Sequence, residues 1–107
     1  MSTATALLIL LMAASLVYGV DHIVGGNAGW STVVNYYVWA AAQNFTVNDT
    51  LVFNYDTKYS VDKVNQTDYD ACNSSHPLGS YVGGSTVITL SNAGKMYFIC
   101  PTPGACA

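Results

Sequence analysis

The stretch that decides the fold runs from residue 45 to residue 55 and reads Phe-Thr-Val-Asn-Asp-Thr-Leu-Val-Phe-Asn-Tyr. Its last five residues place Leu51, Phe53 and Tyr55 on one face of a predicted strand. Residues 45–47 predict a second strand, and a polar turn separates it from the first. A strand with one apolar face beside a tight turn indicates a sheet that lies against a core.

Short predicted strands continue on both sides of this stretch. Helical spacing is confined to residues 35–42 and 67–72, and residues 73–84 have the composition of a polar loop. Many short strands separated by turns are typical of an all-β sandwich or barrel. The other predicted strands cover residues 22–24, 59–64, 85–90 and 96–100.

Few side chains carry charge: three are Lys, six are Asp, and none is Arg or Glu. Charged residues make up 8% of the chain, against about 25% in an average globular protein. Because there is no basic patch, we expect no binding to nucleic acid or to an anionic membrane surface. The scarcity of acid–base pairs also predicts that the protein is not an enzyme.

The N-terminus has the pattern of a secretory signal. Residues 6–17 are apolar except for Ser15, and this run is shorter than the roughly 20 residues that a membrane-spanning helix needs. We place cleavage after Gly19, so residues 1–19 form the predicted signal peptide and residues 20–107 the mature domain. A buried N-terminal helix is the alternative. The signal predicts a secreted, extracellular protein without a transmembrane helix.

Four Asn-x-Ser/Thr sequons fit this interpretation, since such sequons are glycosylated on the surfaces of secreted proteins. Single sequons arise by chance, but four that lie close together predict a glycoprotein. The acceptor residues are Asn44, Asn48, Asn65 and Asn73.

The chain has three cysteines, Cys72, Cys100 and Cys106. In a secreted protein, an odd number predicts one disulfide bond and one thiol with a separate role. Spacing alone leaves all three pairings open. The thiol that stays free is either a buried, inert side chain or a soft thiolate ligand, which favours copper.

An ordered series of segments resembles the phytocyanins, which are plant extracellular blue copper proteins of the cupredoxin fold. The resemblance covers residues 20–107 and is strongest to the uclacyanin and stellacyanin branches. The matching segments are Asp21-His-Ile-Val-Gly-Gly26, Gly29-Trp30, the 45–55 stretch, Val61-Asp-Lys-Val64, Tyr69-Asp-Ala-Cys72 and Gly94-Lys-Met-Tyr-Phe-Ile-Cys100.

This resemblance implies a monomeric Greek-key β-sandwich with one or two short helices and a Cys72–Cys106 disulfide. The family's final strand would follow residue 107, so we expect the domain at 20–107 to be incomplete at its C-terminus. In a longer chain, a C-terminal stalk or a plasma-membrane anchor would follow.

The family's copper site consists of two imidazoles, one thiolate and a weak axial Met or Gln, a set that supports one-electron transfer. The resemblance implies that Cys100 stands at the thiolate position. Tyr59 occupies the place of the first His, and Ala105 that of the second. His22 matches a non-ligand position, and His76 lies in a polar loop. We therefore expect copper, the family's cofactor, to bind weakly or not at all.

Two functions follow from these expectations. One is electron transfer through a type 1 copper to a redox partner, as the resemblance implies. The other is a copper-free extracellular glycoprotein domain that binds cell-wall polymers or a partner protein. A cluster of aromatic residues, namely Trp30, Tyr36, Tyr37 and Trp39, predicts either core packing around a short helix or a sugar-stacking platform.

Overall fold

The computed structural model describes residues 19–106, so the predicted signal peptide lies outside the described residues except for Gly19. Within that range the chain forms two three-stranded sheets and short helices. None of the described helices is long and apolar enough to span a bilayer. The elements are β1 (Asp21–Ile23), a 3-10 helix (Gly26–Ala28), α1 (Tyr36–Ala41), β2 (Thr50–Asn54), β3 (Val61–Val64), α2 (Gln66–Ala71), β4 (Gly79–Tyr81), β5 (Ser85–Thr89) and β6 (Tyr97–Ile99).

The first sheet has the order β1-β2-β5. Its central strand, β2, is the one that residues 51–55 predict. β2 pairs with β1 in parallel and with β5 antiparallel. Leu51 and Phe53 point inward from β2, where Leu51 lies opposite Ile88 of β5. Burying each such side chain contributes about 1.5–3 kcal/mol relative to leaving it in water.

The second sheet has the order β4-β3-β6, with both pairs antiparallel. Val61 of β3 is fully buried and joins Phe53, Ile88 and Trp30 in one core between the sheets. The predicted all-β, cupredoxin-like sandwich with short helices is therefore confirmed. The strand expected to follow residue 107 stays a prediction.

Two local predictions are wrong. Residues 45–47 form no strand, because the backbone N–H and the hydroxyl of Thr46 both donate to the Asp49 carboxylate, each at 3.0 Å, and close a turn. The predicted loop 73–84 contains β4, which exists because it pairs with β3 and not because of its own composition.

Asn residues begin both short helices, as N-cap side chains do in general. The Asn35 side chain accepts from the N–H of Val38, and the Asn65 side chain accepts from that of Asp68. α1 carries Tyr36 and Trp39 onto the core, and α2 leads directly into Cys72.

A buried ion pair joins β1 to the turn that precedes β2. His22 Nε2 lies 2.7 Å from Asp49 Oδ2, and the two side chains are only 8% and 2% exposed. His22 Nδ1 lies 3.0 Å from Gln43 Oε1, and Asp49 also accepts from the backbone N–H of Val20. Buried charges are tolerated when they are paired and hydrogen-bonded in this way.

The pair shifts both pKa values. Burial lowers the pKa of His22, but its hydrogen bonds to Asp49 and Gln43 raise it by more, so that it lies above 6.5. The hydrogen bond from His22, together with those from the N–H groups of Val20 and Thr46, holds the pKa of Asp49 well below its usual 3.8.

We expect the free energy of unfolding to be highest between pH 3.8 and pH 6.5, the ordinary pKa values of an Asp and a His side chain. The His22 contribution is complete below pH 6.5 and is lost as the pH rises through the raised pKa. The Asp49 contribution is present above pH 3.8 and is lost as the pH falls through the lowered pKa. Urea unfolding across the pH range should show that His22→Gln removes the alkaline loss, whereas His76→Gln, at an exposed position, keeps it. The same alkaline loss in both variants would contradict this assignment.

Candidate functional site

A cavity of about 380 Å³ lies beside the buried thiol of Cys100. Tyr59 and Ala105 line it as well, so the three positions that the resemblance assigns to the equatorial copper ligands lie around one space. We call this space the thiol cavity. It is bounded by the loop before β3, β6 with the chain that follows it, the segment after the 3-10 helix with the start of α1, and the end of α2.

The loop before β3 is held by its own turn and by the core. The N–H of Tyr59 donates to the carbonyl of Asp56 at 2.9 Å, which is why β3 starts only at Val61 instead of at residue 59. Trp30 Nε1 donates to the carbonyl of Ser60 at 2.9 Å. These bonds place the half-buried ring of Tyr59 on the cavity wall, with Lys58 Nζ 5.1 Å from the ring centroid on its face.

The chain after β6 carries Cys100 and Ala105, the other two positions that the resemblance assigns to copper ligands. Cys100 directly follows β6, is 9% exposed and forms no disulfide. Pro101 prevents continuation of the strand's hydrogen bonding, and a turn follows in which the N–H of Ala105 donates to the carbonyl of Thr102 at 3.0 Å. The Thr102 hydroxyl donates to the carbonyl of Lys58 at 2.8 Å and so ties the two loops together.

A disulfide lies on the third side of the thiol cavity. Cys72 and Cys106 are bonded with a Cα–Cα distance of 5.9 Å, and both line the thiol cavity. This is the pairing that the resemblance implies and that spacing alone left open. Cys72 ends α2 in the left-handed conformation at φ 50°, which turns the chain after the helix.

On the fourth side of the cavity, the hydroxyl of Tyr36 forms hydrogen bonds with the backbone of Gly29 and Ser31. This hydroxyl accepts from the N–H of Ser31 at 2.7 Å and donates to the carbonyl of Gly29 at 2.6 Å. Burial raises the pKa of Tyr36, and the nearby Cys100 adds to the rise, while the hydrogen bonds with Ser31 offset only part of it. The Tyr36 side chain is therefore a neutral phenol near pH 7.

The side chains around the thiol cavity do not fit a type 1 copper. Such a site requires a trigonal plane of two imidazoles and one thiolate, and here Cys100 is accompanied by a phenol and a methyl group. Within residues 19–106, no three His, Cys, Asp or Glu side chains come close enough together to hold a metal ion. His22 is engaged with Asp49, and His76 lies exposed in the loop before β4.

Comparison with known proteins adds a separate observation. Residues 30–107 match the family described as the plastocyanin-like domain. The chain belongs to the phytocyanin family. It is 39% identical over 105 residues to uclacyanin-3 of Arabidopsis thaliana, covering 98% of this chain and 47% of that protein. The phytocyanin chain described here thus spans about half the length of this relative.

Two further relatives are stellacyanins. The stellacyanin of Toxicodendron vernicifluum is 40% identical over 91 residues, which cover 79% of this chain and 85% of that protein. The solved structure of cucumber stellacyanin with Cu²⁺ has 31% identity and a TM-score of 0.73, over 83% of this chain and 86% of that one. The family and the fold that the resemblance implied are therefore confirmed.

The aromatic cluster near α1 belongs mainly to the core. Trp30 is 9% exposed and packs edge-on against Phe53, with ring centroids 5.3 Å apart. Trp39 is half-buried and lies 6.0 Å from the ring of Phe45. Tyr37 is 80% exposed, so these four aromatic residues do not form one flat platform.

Sequence reasoning missed two residues that shape this part of the molecule. Asp49 was assigned only to a turn, although the Thr46-x-x-Asp49 spacing is that of a capping-type hydrogen bond. Ser31 is the second of these residues, and no sequence signal distinguishes it. Its hydroxyl oxygen is buried and has no hydrogen-bond partner among the described residues.

Proposed function

We propose that this phytocyanin is a copper-free extracellular binding domain and not an electron carrier or an enzyme. The observation that supports it is the composition of the thiol cavity, where Tyr59 and Ala105 stand beside Cys100. A thiol without imidazole partners does not hold Cu(II) in the geometry that electron transfer requires. The presence of the core, the disulfide and the thiol cavity supports the binding of an organic partner.

Electron transfer is the second candidate, because Cys100 is retained as a buried thiol. Stellacyanin from cucumber was solved with Cu²⁺, and this chain shares its fold. For this chain to carry an electron in the same manner, two nitrogen ligands would have to come from residues other than Tyr59 and Ala105.

A titration of the purified protein with Cu(II) distinguishes the two candidates. We expect weak binding and no intense thiolate-to-copper absorption band, because the equatorial plane cannot be built. Cys100→Ser should leave this weak binding unchanged. An intense band with one tightly held copper per chain, lost in Cys100→Ser, would contradict the copper-free assignment.

Secretion and glycosylation form part of the same proposal. The four sequon residues, Asn44, Asn48, Asn65 and Asn73, are all exposed, which supports their use as acceptors. We expect intact-mass measurement of material secreted by plant cells to show a chain that begins at Val20 and falls in mass after enzymatic deglycosylation. At least two sequons should carry glycans. A mass that retains residues 1–19 would contradict secretion, and an unchanged mass would contradict glycosylation.

A further inference from the structure

The thiol cavity has the properties of a small-molecule site. The volume that residues 19–106 enclose is about 380 Å³, at the lower end of the roughly 300–1,000 Å³ typical of ligand pockets. A space of this size admits a molecule with one ring and excludes a folded polymer. Aromatic side chains supply much of its wall, namely Trp30, Tyr36, Tyr59, Tyr69 and Phe98.

The charge of the lining favours a neutral ligand. Asp70 is the one charged residue among the described residues that line the thiol cavity. A carboxylate on the wall repels an anion, and the wall offers no cation to compensate. The nearby Lys58 lies against the face of Tyr59 and is not among the lining residues.

The Ser31 hydroxyl is a polar group that can orient a ligand. The Tyr36 hydroxyl already accepts one hydrogen bond and donates another. The Ser31 hydroxyl oxygen is buried without a partner among the described residues, although Ser31 lines the cavity. An unpaired buried hydroxyl is costly, so a change of rotamer that turns the Ser31 hydroxyl toward a ligand hydroxyl gains a hydrogen bond.

From these three observations, we propose that the thiol cavity binds a small, neutral aromatic alcohol, with its ring against Tyr59 and Trp30 and its hydroxyl group on Ser31. This inference rests on the proposed copper-free function, since a copper ion would occupy the same space. Ring stacking supplies the affinity, and the Ser31 hydroxyl together with Asp70 supplies the selectivity.

The test uses the purified protein and four probes: 4-hydroxybenzyl alcohol, its non-aromatic analogue cyclohexylmethanol, the anion 4-hydroxybenzoate and glucose. Isothermal titration and the shifts of backbone amide signals should show saturable binding of 4-hydroxybenzyl alcohol alone. Tyr59→Ala should weaken this binding about tenfold, and Ser31→Ala about fivefold.

Tyr37→Ala is the matched control, because Tyr37 is exposed and does not line the thiol cavity. It lines the adjoining apolar groove of about 590 Å³ beside α1, which shares Trp30, Tyr36, Tyr69 and Phe98 with the cavity. The Tyr37→Ala variant should leave the affinity unchanged. Ala105→Phe should abolish binding by filling the cavity, and unchanged thermal unfolding would show that this variant still folds. Equal losses in Tyr59→Ala and Tyr37→Ala would overturn the inference. Equally tight binding of cyclohexylmethanol, binding of the anion or of glucose, or no binding at all would also overturn it.

A copper measurement on the same sample separates the two proposals. A blue, copper-loaded protein would overturn the proposed function itself, and the inference would fall with it. A colourless protein that binds none of the four probes would overturn the inference and leave the copper-free assignment intact.

Discussion

Restoring the two missing imidazoles should convert the thiol cavity into a copper site. The variant Tyr59→His with Ala105→His places both nitrogen ligands around the cavity that Cys100 lines. We expect its affinity for Cu(II) to exceed that of the parent chain by about a hundredfold or more, since removal of mere outer-shell partners of metal ligands already costs about 10–100-fold. Competition with a chelator of known affinity measures the gain.

The thiol provides the control for this experiment. Adding Cys100→Ser to the double variant should abolish the intense thiolate-to-copper band while leaving weaker binding by the two histidines. Each single histidine variant should fall between the parent and the double variant. If the double variant binds copper no better than the parent, these positions do not surround a common metal position, and the assignment of the thiol cavity is wrong.

Removal of the Cys72–Cys106 disulfide should lower the free energy of unfolding by several kcal/mol. The Cys72–Cys106 bond joins residues separated by 34 positions, and a loop of that length contributes about 3–4 kcal/mol in the chain-entropy model. Urea unfolding of Cys72→Ser with Cys106→Ser should show this decrease in the free energy of unfolding. Such a loss is severe for a domain of this size, because small domains bury a modest fraction of their surface.

Reduction of the parent protein is the matched control, since it opens the same loop without changing the sequence. The reduced parent and the double serine variant should unfold at similar urea concentrations. A decrease below about 1 kcal/mol, smaller than nearly every native disulfide contributes, would show that the bridge does not stabilise the domain.

Strand positions could be predicted where side-chain alternation coincides with burial. Leu51 and Phe53 recur at the period of a strand and are buried against the opposite sheet, so β2 follows from local pattern. β4 could not be predicted, because Gly79–Tyr81 has no such pattern and acquires its structure from pairing with β3. Residues 45–47 have strand-forming side chains, but the hydrogen bonds from Thr46 to Asp49 win over that propensity.

The cavity itself was not predictable, and the assignment of its lining positions to copper ligands stays a prediction. The resemblance named Tyr59, Cys100 and Ala105, and the structure brings all three around one space. The contribution of Ser31 and Tyr36 to the cavity wall was not predictable. It depends on the hydrogen bonds that the Tyr36 hydroxyl forms with the backbone of the segment after the 3-10 helix. Contacts between residues on different loops leave no periodic signal in a single sequence.

The copper content of the protein purified from its native source, without added metal, tests the copper-free assignment most directly. Elemental analysis by mass spectrometry, together with a visible absorption spectrum of the same sample, provides the measurement. Because Tyr59 and Ala105, and not imidazoles, line the cavity with Cys100, we predict substoichiometric copper and a colourless solution. One copper per chain in a blue protein would contradict the account.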